Sequence, residues 1–152
     1  KELRHWRMQD RVVSTVDSQY TALPNNFLEP VRMVKTSGEF RILELVGALE
    51  ISKLRQEALD TVGVPRVYTI LDQAFEVFPT PDGDHTLELT YYEEIPDLAT
   101  NSTNWLMTYY PSAYLYGSLI HSAPYLSEAN RIAEWSALYQ KAIKRHAKSC
   151  AI

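Results

Sequence analysis

With 152 residues, 45% apolar and 22% charged, the chain has the composition of one ordinary globular domain, long enough to bury a core. A net charge of −4 with Lys and Arg largely dispersed excludes a protein that grips nucleic acid through a basic stripe. The lone Cys150 excludes an internal disulfide and suits a reducing compartment, and no run approaches the ~20 apolar residues of a membrane span.

The chain starts at Lys1 without methionine, and residues 1–9 read as the last turns of an amphipathic helix with Leu3 and Trp6 on one face. The native protein is therefore expected to begin further upstream. A β-rich part spans residues 10–98. The β-branched stretch from Asp10 to Asp17 predicts a strand, and Tyr20 to Ala22 follows a polar turn. Val31 to Thr36 and Phe40 to Val46 predict two more strands around Ser37-Gly38. Ser52 is placed as the N-cap of a short helix to Thr61. Arg66–Leu71, Ala74–Phe78 and Thr86–Tyr92 read as an antiparallel meander, with Asp82-Gly83 as its second tight turn. In its last strand Leu87, Leu89 and Tyr91 share the face expected to be buried.

A helical part covers residues 103–148. Thr103 is expected to cap a turn carrying Trp105 and Leu106, and Pro111 suits the first position of a helix that stops at Pro124. Ser127 is expected to cap the last helix, whose apolar residues Ile132, Trp135, Tyr139 and Ala142 recur at helical spacing. Lys141, Lys144, Arg145 and Lys148 place cations where the macrodipole favours them. The fold class expected is α+β: a single domain with an antiparallel β-meander packed with a helical bundle, its two C-terminal helices antiparallel and joined by a short connection.

No residue pattern points to catalysis. His5, His85, His121 and His146 are scattered without partners at metal-ligand spacing. Glu93 and Glu94 are adjacent on a strand and so point to opposite faces, which excludes a pair flanking one glycosidic bond. Asp82-Gly83-Asp84 lacks the distal ligands of a calcium loop. No nucleophile elbow surrounds Ser112, Ser118 or Ser122, and five separated glycines make no phosphate loop. The chain is read as a non-enzyme without metal or cofactor. Ten tyrosines against four phenylalanines suit surfaces that a partner later covers. Core packing is the competing reading for each, and both roles are expected.

An ordered series of short motifs completes the reading. It runs from Glu-Leu-x-x-x-Arg-Met (Glu2–Met8) through Leu-Pro-x-x-Phe-Leu (Leu23–Leu28) to Phe-Pro-x-Pro-x-Gly (Phe78–Gly83). Leu-x-Tyr-Tyr (Leu89–Tyr92), Ile-Pro-x-Leu (Ile95–Leu98) and Asn104-Trp105-Leu106 follow. Tyr110-Pro111 with Tyr114-Leu115-Tyr116-Gly117, then Ala123 to Leu126, then Trp135 and Tyr139 four apart, close it. In this order, over essentially the whole chain, the series resembles the head-to-tail adaptor proteins of tailed phages.

That resemblance implies a structural virion protein in the neck between capsid and tail, made in the bacterial host cytoplasm. It implies a closed ring, typically of twelve copies, generated by a heterologous interface. Portal protein would sit on one side and tail or nozzle protein on the other, with genomic DNA passing unbound. Mild acidity fits such a conduit. The implied portal-docking residues are Lys144, Arg145, Lys148 and Ile152, and the implied subunit or tail contacts are Tyr109, Tyr110, Tyr116 and Tyr125. The rival readings are a non-viral α+β binding module with a tyrosine-rich surface and, more remotely, a hydrolase whose site is assembled from unconnected residues.

Overall fold

The computed structural model describes residues 4–126 and 129–147. They fall into two compact units: Met8–Glu94, and Ile95–Ile152 together with Lys1–Arg7.

The β-rich unit carries β1 (Gln9–Val16), β2 (Tyr20–Ala22), β3 (Phe27–Lys35), β4 (Arg41–Leu45), α1 (Ala48–Glu57), β5 (Val67–Leu71), β6 (Ala74–Phe78) and β7 (His85–Glu93). The seven strands form one sheet in the order β1-β7-β3-β4-β5-β6-β2. Its two edges, β1 and β2, are joined only by Asp17-Ser18-Gln19. Such a link reaches at most about 14 Å. Seven strands laid flat would hold their edges roughly 29 Å apart. The sheet must therefore curl into a nearly closed, barrel-like form. Inside it lie Val16, Met33, Leu43, Tyr68, Phe75, Val77, Leu87, Leu89 and Tyr91, with Leu23 from the β2–β3 loop. Leu87, Leu89 and Tyr91 thus share the buried face that alternation assigns them.

The pairing differs from a meander. β5 and β6 do form a hairpin, but β7 lies between β1 and β3, so the segment around Asp82-Gly83 crosses to another part of the sheet. The positive φ sits instead at Asp72, +53°, in the two-residue β5–β6 turn, where Asp tolerates the left-handed region. β3 begins at Phe27 and not at Val31. Its Pro30 breaks the propensity signal, and register shifts between Phe27 and Glu29 and between Pro30 and Arg32 absorb it. β4 and β5 pair in parallel, which requires a crossover, and α1 supplies it. That helix begins at Ala48, with Gly47 as its N-cap residue. Ser52 lies inside it, where its Oγ donates to the carbonyl of Ala48.

α1 packs on the outer face of β5 and β6. Ile51 is fully buried there, and the Arg55 guanidinium donates to Glu76 Oε1 at 2.9 Å, Thr80 Oγ1 at 3.0 Å and the Val77 carbonyl at 3.3 Å. Lys35 is buried at the β3–β4 turn, its ammonium donating to the carbonyls of Ser37 and Glu39. Gly38 in that turn holds φ +66°, so a side chain there is strained.

In the other unit, α2 (Trp105–Tyr109) leads into α3 (Pro111–Leu126), and α4 (Ile132–Ala147) follows a single 3-10 turn at Ala129–Arg131. Asn104, not Thr103, caps α2: its Oδ1 accepts from the Met107 amide at 2.9 Å. Pro124 does not stop α3, which runs two residues beyond it. In the last turn the missing N–H removes one bond only, so helix geometry persists. Among the described residues the opening segment shows a 3-10 turn at Trp6–Met8, and the β-branched sequence from Gln9 takes up strand pairing with β7; residues 1–3 of the expected helix end lie outside the described residues. Ser127 lies outside the described residues.

α3 and α4 pack on each other. At Gly117 a Cβ would stand 3.5 Å from the Tyr139 ring, in ordinary van der Waals contact. Trp135 is partly buried. Trp135→Ala should therefore cost about 2 kcal/mol, below the ~3–5 of a fully buried ring, measured as the shift in the denaturant midpoint of this unit.

Candidate functional site

The residues that fix the turn into the helices form a polar and aromatic knot. Asn104 is buried and fully used: besides capping α2, its Nδ2 donates to the Pro96 carbonyl at 2.9 Å and to Tyr114 Oη at 2.6 Å. Beside it, His5 is only 2% exposed and stacks between Trp6 and Trp105, with ring centroids 5.6 Å and 4.9 Å away. Tyr110 stands edge-on to both His5 and Trp105. The Arg7 amide donates to His5 Nδ1 at 3.1 Å, which leaves the proton of the neutral ring on Nε2. The Arg7 guanidinium lies 4.1 Å from the Tyr109 ring centroid and 4.5 Å from that of Trp6, a cation held between two aromatic faces.

Burial first, and the Arg7 charge second, hold the His5 imidazole below its ordinary value. The unfolded chain therefore takes up the proton before the folded one, so stability should fall as pH drops below about 6.5. Thermal melts of the chain and of His5→Phe at pH 7.5 and pH 5.5, about one unit either side of that value, check this. The loss on acidification should shrink in the variant, and an equal loss in both would contradict the assignment.

The four tyrosines divide. Tyr109 is exposed and Tyr125 is 90% exposed. Tyr110 and Tyr116 are partly buried, Tyr110 through its ring contacts. Of the docking cations, Lys144 is exposed on α4 and Arg145 lies on the same helix; Lys148 and Ile152 are outside the described residues.

Two further surfaces stand out. α3 contains no Asp, Glu, Lys or Arg in its sixteen residues, yet Leu115, Tyr125 and Leu126 are exposed. Ser112, Ser118 and His121 are exposed beside them, so α3 is free of Asp, Glu, Lys and Arg without being apolar all round. The second lies on the β-rich unit: an open, apolar groove of about 570 Å³ between Phe27, Pro30, Leu45, Ala48 and Ile70. The absence of charge from α3 is legible in the sequence; the groove required the strand order that sets β3, β4 and β5 side by side.

Nothing in these surfaces resembles a reaction centre. Among the described residues no three His, Cys, Asp or Glu side chains converge to hold a metal. His85 Nε2 lies 2.7 Å from Asp82 Oδ1, a local pair at the start of β7 whose hydrogen bond draws the Asp82 carboxyl below its usual range. Glu93 lies with Asp10 and Asn26 near Tyr91, and burial, then the Asp10 charge, raises its carboxyl. Tyr91 Oη donates to Asp10 Oδ2 and Asn26 Oδ1, so the cluster serves the sheet.

The decisive observation is a comparison over nearly the full length. The family model described as SU10 adaptor protein matches residues 1–149. The chain belongs to the SU10 adaptor protein family. No curated protein matches it at a significant level. SU10 adaptors are structural phage adaptors and not enzymes, so the hydrolase reading is set aside and a virion connector role stands in its place. No helix among the described residues is long and apolar enough to cross a membrane. Membership of the SU10 adaptor family implies binding to other virion proteins.

Proposed function

We propose that this chain is a structural protein of the virion neck, assembling as a closed ring of twelve copies below the portal. The ring joins the capsid to the tail or nozzle and lets the genome pass without specific binding. Membership of the adaptor family over residues 1–149 carries this reading. The exposed apolar side chains of the charge-free α3 support it, because they leave a surface that stays uncovered within one copy.

The division of labour follows from surface chemistry. The cationic end of α4, with Lys144, Arg145 and Lys148, and the apolar Ile152 dock on acidic portal residues. Tyr109 and Tyr125 contact a neighbouring copy or a tail protein, and Tyr110 and Tyr116 support them from partly buried positions. The packing of α3 on α4 gives the docking end a base. The work done is binding, ring closure and passage, with no turnover.

Co-sedimentation with purified portal protein tests this. The intact chain should bind stoichiometrically. A chain lacking residues 146–152 should keep its circular dichroism spectrum and bind less tightly, with the difference narrowing as salt rises. Failure of the intact chain to bind portal would refute the proposal. Unchanged binding after the deletion would place docking on another surface.

A further inference from the structure

The apolar groove on the β-rich unit marks a gap in the sheet. β4 holds the place between β3 and β5 for a short distance only. Its residues 41–43 pair with β3, Glu44 and Leu45 pair with β5, and the chain then turns into α1 at Gly47. β3 runs antiparallel to β4 and β5 runs parallel to it, so the first half of β3 and the last residues of β5 both lie beyond the end of β4. Among the described residues no strand fills the place between them. The groove occupies it, lined by Phe27 and Pro30 from β3, Leu45 from the end of β4, and Thr69 and Ile70 from β5.

Backbone borders this slot as well as side chains. The Val46 amide donates to the Tyr68 carbonyl at 2.9 Å, which sets that carbonyl toward β4. Peptide groups alternate along a strand, so those of Thr69 turn to β6 while the N–H and carbonyl of Ile70 point back into the slot. Opposite them, Pro30 stands in the half of β3 that β4 does not reach, and proline within a sheet belongs at an edge. Phe27 and Ile70 also pack against the core, so the slot is an opening through which the core can be touched. No Asp, Glu, Lys or Arg lines it.

We infer that this slot receives one extended, uncharged segment of another virion protein, which continues the line of β4 and completes the sheet by strand addition. The identity of the donor as a virion protein rests on the neck reading above. The hydrogen-bonding groups and the shape of the slot select the occupant. Strands flank it on both sides, so it admits a single strand and not the edge of a second copy's sheet. A helix bonds its own peptide groups, so neither α3 nor α4 of any copy can meet the Ile70 N–H and carbonyl. Residues 27–31 of β3 span about 14 Å, which sets the length of the incoming segment at about five residues. Its alternate side chains meet Phe27, Leu45 and Ile70, where the uncharged lining rejects Asp, Glu, Lys and Arg.

NMR of the full, isotope-labelled chain tests the slot with one probe, the capped heptapeptide Lys-Thr-Val-Thr-Val-Thr-Lys. In the free chain the Ile70 amide should exchange with solvent at least about a hundredfold faster than that of Thr69, which bonds to β6. Millimolar peptide should slow the Ile70 amide at least about tenfold. N-methylation of the central Val-Thr pair blocks both edges of the peptide strand and should remove the effect. Leu45 is half-exposed, so Leu45→Lys should keep the circular dichroism spectrum and lose the response to peptide. In assembled particles, benzoylphenylalanine in place of Leu45 should cross-link on irradiation to a segment of a different virion protein. An Ile70 amide already protected in the free chain, no response to peptide, or a response indifferent to N-methylation would overturn the slot. Cross-links confined to this chain, or none, would overturn the choice of donor. A chain absent from the particles would overturn the neck reading and the donor with it, while the peptide measurements still decide the slot.

Discussion

Leu87→Ala should lower the stability of the β-rich unit by about 3–4 kcal/mol, more than any single surface change. Leu87 is 1% exposed on β7, the strand hydrogen-bonded to β1 on one side and β3 on the other. Its side chain lies inside the curled sheet with Met33, Val16 and Tyr91, where strands from around the barrel converge. Removing three methyl or methylene carbons forfeits their transfer energy, and a nearly closed sheet cannot move inward to fill the gap. Urea unfolding monitored by tyrosine fluorescence measures the change. A loss below about 1 kcal/mol would mean that β7 is not central to the core. Thr86→Ala, one residue away on the opposite face and partly buried, is the control and should cost far less.

Arg55→Ala should cost about 3 kcal/mol in the same unit. Glu76 is 7% exposed on β6, and its Oε1 accepts from Arg55 at 2.9 Å and from Gln19 Nε2 at 2.7 Å. The Arg55 guanidinium also lies 5.0 Å from the Phe78 ring centroid. Loss of the arginine leaves a carboxylate buried with one neutral donor, and that desolvation dominates the cost. The double variant Arg55→Leu/Glu76→Leu should recover much of the loss, since apolar replacements of both partners leave no orphaned charge. If the double variant is as unstable as the single one, the damage lies in α1 packing and not in the ion pair.

Alternation in β7 and the Pro111 helix start were legible because each is set by neighbours in sequence. The sheet order was not. The curl that brings the edges β1 and β2 together follows from the short Asp17–Gln19 link, a constraint visible only once all seven strands and their order are known. The β3 start was hidden by Pro30, which the register shifts tolerate, and α1 by the absence of a side-chain cap at Gly47. His5 shows the limit at the site: nothing in its spacing marks a histidine enclosed by two tryptophans. The charge-free α3 was written in the sequence.

The central claim, that this chain is a stoichiometric part of the virion neck, is tested most directly by its copy number in purified particles. Quantitative mass spectrometry of gradient-purified virions should find it in constant ratio to the portal protein, one copy per portal subunit. A chain abundant in infected cells but absent from intact particles would contradict the account.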